Sequence, residues 1–268
     1  PEWLIADLAI VAAGAVTTPI YTTLAVEQVA FILRDCGAQI VIVSTAEQLA
    51  KVVAASGHAP DLRTVITIDP MPSLPQTDLH VVSLADVAER GHRRIRESWG
   101  VGRQFHDAAR AVQPSDLATI IYTSGTTGRA KGAVLSHDNI LWNTTMTAFD
   151  TVSLLHEDVM LGVLPLFHSF GQTVVLNAGF RVGATIVLMP RFDGPGALDL
   201  MVAEGVTVFA GVPTMYMGLL AAAADSAAAQ ALHKLLLRLH SNLSRDFFPE
   251  PCRFRYICLV FDRSAIGI

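Results

Sequence analysis

Apolar and polar positions along this chain follow two alternating periods, and the switches between them predict its elements. Residues 5–13 carry an apolar helical repeat that stops near Gly14, after which 15–20 reads as a strand. Thr22 and Thr23 are candidate caps for a helix over 25–36 that Gly37 would end, and the apolar run 39–43 reads as a buried strand. The succession returns as helix 46–55, strand 64–68 and helix 84–96. A Pro-rich stretch at 70–75 and a polar region over 100–114 interrupt it. It then resumes as strand 117–122, helix 138–149, strand 159–164, helix 170–180, strand 184–189, helix 197–204 and strand 206–209. Continuous apolar strands separated by helices predict an α/β fold: a layered parallel-sheet sandwich with helices on both faces. Ligands of such sheets sit beyond the carboxyl ends of the strands.

The pattern breaks near residue 239. Alanine nearly vanishes, and Phe247, Phe248, Phe254, Tyr256 and Phe261 cluster with Cys252 and Cys258. Residues 1–238 are therefore expected to form one domain and 239–268 an atypical tail.

Composition narrows the function classes. At 268 residues with 51% hydrophobic and 16% charged side chains, the chain has apolar material for a large core. A net charge of −5 and the absence of a basic stripe argue against a nucleic-acid partner. The basic cluster His92-Arg93-Arg94-Ile95-Arg96 is bracketed by Glu89 and Glu97, as a solvated helix face would be. No apolar segment reaches the length of a membrane span: residues 8–16 are too few, and 209–224 contains Pro213, Thr214 and two glycines. Peripheral association through apolar surface is compatible with this composition. Cys36, Cys252 and Cys258 have no metal-ligand spacing, and no basic-then-apolar leader opens the chain, so a reduced, cytoplasmic setting is the simpler expectation. The first residue is not methionine.

Chemistry concentrates in Tyr122-Thr123-Ser124-Gly125-Thr126-Thr127-Gly128-Arg129-Ala130-Lys131-Gly132, between the apolar runs 117–121 and 133–135. Glycines let successive amides approach an anion and form a concave nest. Thr123, Ser124, Thr126 and Thr127 add rotatable hydroxyl donors, and Lys131 adds a compact positive charge. The segment reads as a phosphate-holding loop between strands. Its spacing is not that of a Walker A loop, since Gly132 stands where the magnesium-binding Ser or Thr belongs. A solvated glycine-rich turn is the plain alternative. Ser136-His137-Asp138 cannot converge as a nucleophilic triad and reads as helix capping. Asp193 and Asp199 read as loop and helix-start residues.

The string resembles the signature loop of the adenylate-forming (AMP-binding) superfamily of acyl-CoA synthetases, luciferases and nonribosomal adenylation domains, with Ala130 where Pro is usual. Three further stretches are similar to that family in the expected order: residues 1–44, especially Gly14-Ala15-Val16-Thr17-Thr18-Pro19-Ile20-Tyr21; Leu164-Pro165-Leu166-Phe167-His168-Ser169-Phe170-Gly171; and Ala210-Gly211-Val212-Pro213-Thr214-Met215-Tyr216. The resemblance is to fatty acyl-CoA synthetases and covers roughly residues 1–235.

The resemblance implies the N-terminal domain of an enzyme that activates a carboxylic acid with MgATP to acyl-AMP and pyrophosphate. Coenzyme A, a co-substrate, then takes the acyl group as a thioester. It implies that Thr123, Ser124, Gly125, Thr126, Thr127 and Gly128 hold the β- and γ-phosphates, that Lys131 offsets their charge, and that the Thr126 hydroxyl faces Mg2+. His168, with Phe167 and Gly171, would line the acid pocket and orient the carboxylate; a core histidine satisfied by backbone is the alternative. Tyr122 is placed near the nucleotide by the family and is otherwise a strand-end aromatic. Phe167, Phe170, Val174, Val175, Val212, Met215 and Met217 would suit an acyl chain, each buried methylene contributing about 0.8 kcal/mol, or simply pack the core.

The family's adenine loop, Tyr-Gly-x-Thr-Glu segment, ribose-binding Asp and catalytic lysine cannot be read in 241–268, so no catalytic residue is assigned. Two expectations stay open: an ATP-dependent acid–CoA ligase of which this is a part, or a catalytically silent relative that binds nucleotide or acyl ligand. An aryl acid, the acceptor of the acyl group and the oligomeric state are also open.

Overall fold

The computed structural model describes residues 2–71, 73–98, 100–123 and 130–224. The chain divides into two compact units, Pro1–Asp138 and Asn139–Ile268.

In the first unit, α1 (Glu2–Ala12) leads to α2 (Val26–Asp35), β1 (Ile40–Val43), α3 (Ala46–Ser56), β2 (Thr64–Thr67) and β3 (His80–Ser83). The three strands form a parallel sheet in the order β1-β2-β3, with Ile40 opposite Thr64 and Thr64 opposite His80. Helical spacing decides what α2 and α3 bury: Val29, Ala30 and Leu33 from one, Leu49, Val52 and Ala55 from the other. These close over Val65 of β2 with Ala59 and Leu62. The start of α2 differs from expectation. Ala25 is its cap, its N–H donating to Gln28 Oε1 at 3.0 Å, while the Thr22 carbonyl accepts from Lys51 Nζ at 2.7 Å. Its end follows the sequence. Gly37 adopts φ +64°, Ala38 N–H donates to Leu33 O and Gly37 N–H to Arg34 O, a Schellman closure that leaves Asp35 as the last helical residue.

Two sequence expectations change here. Residues 15–20 make no strand. They contribute one parallel bridge, Thr17 to Thr119, because Pro19 has no N–H to extend a ladder. The region 100–114 is not irregular: after α4 (Leu84–Glu97), capped by Ser83 Oγ accepting from Asp86 N–H at 3.0 Å, it forms α5 (Val101–Ala111). Neither α4 nor α5 buries a residue.

The unit ends in a hairpin. Leu117–Thr123 (β4) pairs antiparallel with Lys131–Ser136 (β5), with Tyr122 opposite Gly132 and Thr123 opposite Lys131. The Ser/Thr/Gly-rich segment therefore lies between strands, as the sequence indicates, although this pair is antiparallel within an otherwise parallel set.

The second unit continues from α6 (His137–Thr145), which starts directly after Ser136, into a π-helical turn Met146–Thr151. Then come β6 (Val159–Gly162), a π-helical stretch Gly171–Asn177 running into α7 (Ala178–Val182), β7 (Thr185–Leu188), α8 (Gly194–Ala203), β8 (Val208–Phe209) and α9 (Pro213–Ala224). The sheet is parallel in the order β7-β6-β8, Met160 lying opposite both Ile186 and Val208. Leu161, Val163, Ala197, Met201, Val206 and Phe209 build the core between this sheet and α8. Asp193 caps α8, Oδ2 accepting from Gly196 N–H at 2.9 Å, whereas Asp199, expected at the helix start, sits inside it. Gly194 lets α8 press against α9: a Cβ there would lie 2.6 Å from the Gly218 carbonyl oxygen.

Candidate functional site

β4 is held in the first unit by the buried Ala118, Thr119 and Tyr122, while Thr123 at its carboxyl end is exposed. Across the ladder, Lys131 opens β5 and is exposed too. The hairpin thus presents one hydroxyl and one ammonium from paired positions at the same end of a two-stranded ribbon. Ser124, Gly125, Thr126, Thr127 and Gly128 lie outside the described residues. Hydroxyls and an ammonium suit an anionic polyphosphate. Among the described residues, no three His, Cys, Asp or Glu side chains gather as a cation site. That donor set is compatible with Mg2+ bound largely through substrate phosphates and water.

Tyr122 does something the sequence does not reveal. Its hydroxyl donates to Asp35 Oδ2 at 2.6 Å, and its ring meets Phe31 edge-on, centroids 6.3 Å apart. Burial, together with the adjacent Asp35 carboxylate, pushes the phenol well above its ordinary range. Burial likewise raises the Cys36 thiol. The Tyr122 hydroxyl is therefore committed to the protein. A Cβ on Gly132 would lie 2.8 Å from Ile120 Cγ2 and 3.2 Å from Tyr122 Cζ, so glycine at 132 leaves the space these side chains occupy.

In the second unit, strand order reverses at β6, which has β7 on one side and β8 on the other. Crevices at such reversals, beyond the carboxyl ends of the strands, are where open parallel sheets bind ligands. The segment 163–170 leaves the carboxyl end of β6, and 210–213 leaves that of β8. The stretch expected to line an acid pocket, 164–171, and the family-like stretch 210–216 therefore depart from neighbouring strands at this point.

The first of these segments is folded by its own backbone. His168 N–H donates to the Pro165 carbonyl, Gln172 N–H to the His168 carbonyl, and Phe170 N–H to His168 Nδ1 at 3.2 Å. With Nδ1 accepting, the ring is the Nε2–H tautomer. His168 is exposed rather than a core histidine. Phe167 is half-buried and Gly171 buried, where a Cβ would lie 2.4 Å from the Pro165 carbonyl oxygen. Of the expected acyl-lining residues, Val174 and Val175 pack with Leu164 and Ala210 into a core that Phe170 and Met215 border, while Met217 is exposed.

The comparisons with known proteins agree with this architecture. The AMP-binding enzyme family profile matches residues 1–247, and the chain belongs to that family. A bovine (Bos taurus) long-chain-fatty-acid–CoA ligase, ACSBG1, is 29% identical over 100% of this chain and 38% of its own length. Long chain acyl-CoA synthetase 6, peroxisomal, from Arabidopsis thaliana is 33% identical over 81% of this chain and 29% of its own length. Among solved structures, ATP-bound MatB from Rhodopseudomonas palustris superposes with a TM-score of 0.59 at 28% identity, covering 85% of this chain and 39% of that one. A Mycobacterium tuberculosis fatty acyl CoA synthetase gives 0.57 at 26% identity over 80% of this chain and 37% of that one. The chain thus spans well under half the length of the relatives it matches.

Proposed function

We propose that this chain supplies the phosphate-binding hairpin and part of the acid pocket of an ATP-dependent acid–CoA ligase acting on a medium- or long-chain fatty acid. The observation that carries the reading is the β4–β5 hairpin: Thr123 and Lys131 face each other across a Ser/Thr/Gly-rich connection in a chain of the AMP-binding family. The relatives' names and the ATP bound to MatB support the substrates.

In this scheme the hairpin holds the β- and γ-phosphates, with Lys131 neutralising charge and residues 124–128 donating hydroxyls and amides. Thr126 faces Mg2+. His168, beyond β6, donates from Nε2 to the substrate carboxylate and orients it, beside Phe167 and Gly171. Positioning and charge neutralisation account for such phosphoryl chemistry with little covalent help from the protein. Coenzyme A accepts the acyl group when the remaining parts of a full-length enzyme are present.

Pyrophosphate release measured with palmitate, with benzoate and with no acid tests the reading. Release with palmitate alone supports a fatty-acid ligase; release with benzoate alone replaces the acyl substrate by an aryl one. Retained MgATP binding without release by the full-length protein favours the second reading, a silent relative that binds nucleotide or acyl ligand. No binding of MgATP by the full-length protein overturns the ligase reading.

A further inference from the structure

We propose that Tyr122 and Asp35 form a positioning pair that sets the geometry of the β4–β5 hairpin, holding Thr123 and Lys131 opposite one another for a polyphosphate. The proposal rests on the functional reading of that hairpin given above.

Asp35 is the last residue of α2, where the helix dipole favours cations and disfavours a carboxylate. Asp35 there accepts a 2.6 Å hydrogen bond from Tyr122, 87 residues away in sequence. A charge-assisted bond of this kind is stronger than a neutral one and offsets that cost. Because Gly37 closes the helix immediately afterwards, the acceptor is held on a rigid terminus rather than on a loop.

Tyr122 lies one residue before Thr123 and pairs with Gly132, one residue after Lys131. The Tyr122 ring lies across Gly132, within 3.2 Å of where a Cβ would be, so one contact reaches both strands at the end that carries the candidate phosphate ligands. A ring laid over a cross-strand glycine also pins the register of the pair. A two-stranded ribbon is marginal by itself. This one gains a tether to α2 beside the positions that need fixing.

The test compares Tyr122→Phe, Asp35→Ala, Asp35→Asn and the double variant Tyr122→Phe/Asp35→Ala in the whole chain. Amide hydrogen exchange over β4 and β5 and calorimetric MgATP binding are read for each. Tyr122→Phe and Asp35→Ala are expected to speed exchange in β4 and β5, leave β1 and β2 protected, and weaken MgATP about tenfold each, the scale of one part-buried hydrogen bond. The double variant should be no weaker than either single one. Asp35→Asn, which keeps an acceptor but loses the charge, should lose less affinity than Asp35→Ala, which separates positioning from electrostatics.

Unchanged exchange in both single variants, or additive losses in the double, would overturn the proposal. Equal loss in Asp35→Asn and Asp35→Ala would overturn it as well, by making the charge the agent. A wild-type chain without MgATP affinity removes the functional reading, and exchange still decides whether the pair orders the hairpin.

Discussion

Lys131 and Tyr122 show how differently two residues of one motif can be read. Lys131 is recognisable from the string alone, as a lone ammonium among hydroxyls and glycines, and it stands exposed at the start of β5. Lys131→Ala is expected to weaken MgATP binding at least tenfold by calorimetric titration, with an unshifted melting temperature, because an exposed lysine contributes little to folding. Equal affinity would exclude it as a phosphate ligand. The Tyr122 partnership has no sequence signal beyond a carboxylate in the unfavourable last position of α2. Its consequence is a pH dependence. The phenol is raised above its usual 10.0 by burial first and by Asp35 second, so the native state holds this proton more tightly than the unfolded chain does. Stability from the pair is complete below pH 10 and lost as pH climbs beyond it. The melting-temperature gap between wild type and Tyr122→Phe, favouring wild type at pH 8, should therefore shrink steadily above pH 10. A gap that stays flat to pH 11 would mean that Tyr122 does not titrate as a buried, hydrogen-bonded phenol.

Elements that meet a core were legible from apolar spacing, and α4, expected over 84–96, was legible from its pattern although it buries no residue. The repeats of α2 and α3, and the runs that became β1, β2 and β6, bury side chains and follow the sequence to within a residue or two, as does the half-buried β7. α5 was missed because its residues, Arg103, His106, Asp107 and Arg110 among them, read as polar, and none is buried. β3 has only four residues, and the polar run 76–78 separates it from the Pro-rich stretch at 70–75. The two π-helical segments, 146–151 and 171–177, share an apolar spacing too close to that of an α-helix for a sequence to separate them. Gly171 opens the second of these, and its reason is a contact. A methyl group there would meet the Pro165 carbonyl at 2.4 Å, and a backbone neighbour cannot swing aside as a side-chain tip can. Gly171→Ala should cost about 1–3 kcal/mol in urea unfolding and displace the turn from Pro165 to His168. By contrast, Asp193→Ala, which removes only the cap of α8, should cost about 1 kcal/mol and leave that turn alone. Comparable exchange at the His168 amide in both variants would argue against the packing role of Gly171.

At the scale of the molecule, the candidate ligands divide between units with separate cores. Thr123 and Lys131 belong to the unit that ends at Asp138, built on Val29, Leu33, Leu49 and Val65. His168 belongs to the unit that begins at Asn139, built on Leu161, Val163, Met201 and Phe209. The sequence did not mark this division. The helical pattern around 138–149 runs across it, and the compositional break near 239 drew attention elsewhere. A core that is closed within one unit predicts that damage stays there. Leu161 is fully buried, and Leu161→Ala should cost about 2–5 kcal/mol. In native-state hydrogen exchange that loss should fall on the β6, β7 and β8 amides, while those of β1 and β2 keep wild-type protection. Leu49→Ala should do the reverse. If the hairpin binds phosphate as a property of its own unit, Mg-pyrophosphate should still bind the Leu161→Ala chain with wild-type affinity and bind the Leu49→Ala chain more weakly. Uniform loss of protection across both sheets from either substitution would mean that the two cores unfold as one, and that phosphate and acid sites cannot be lost separately.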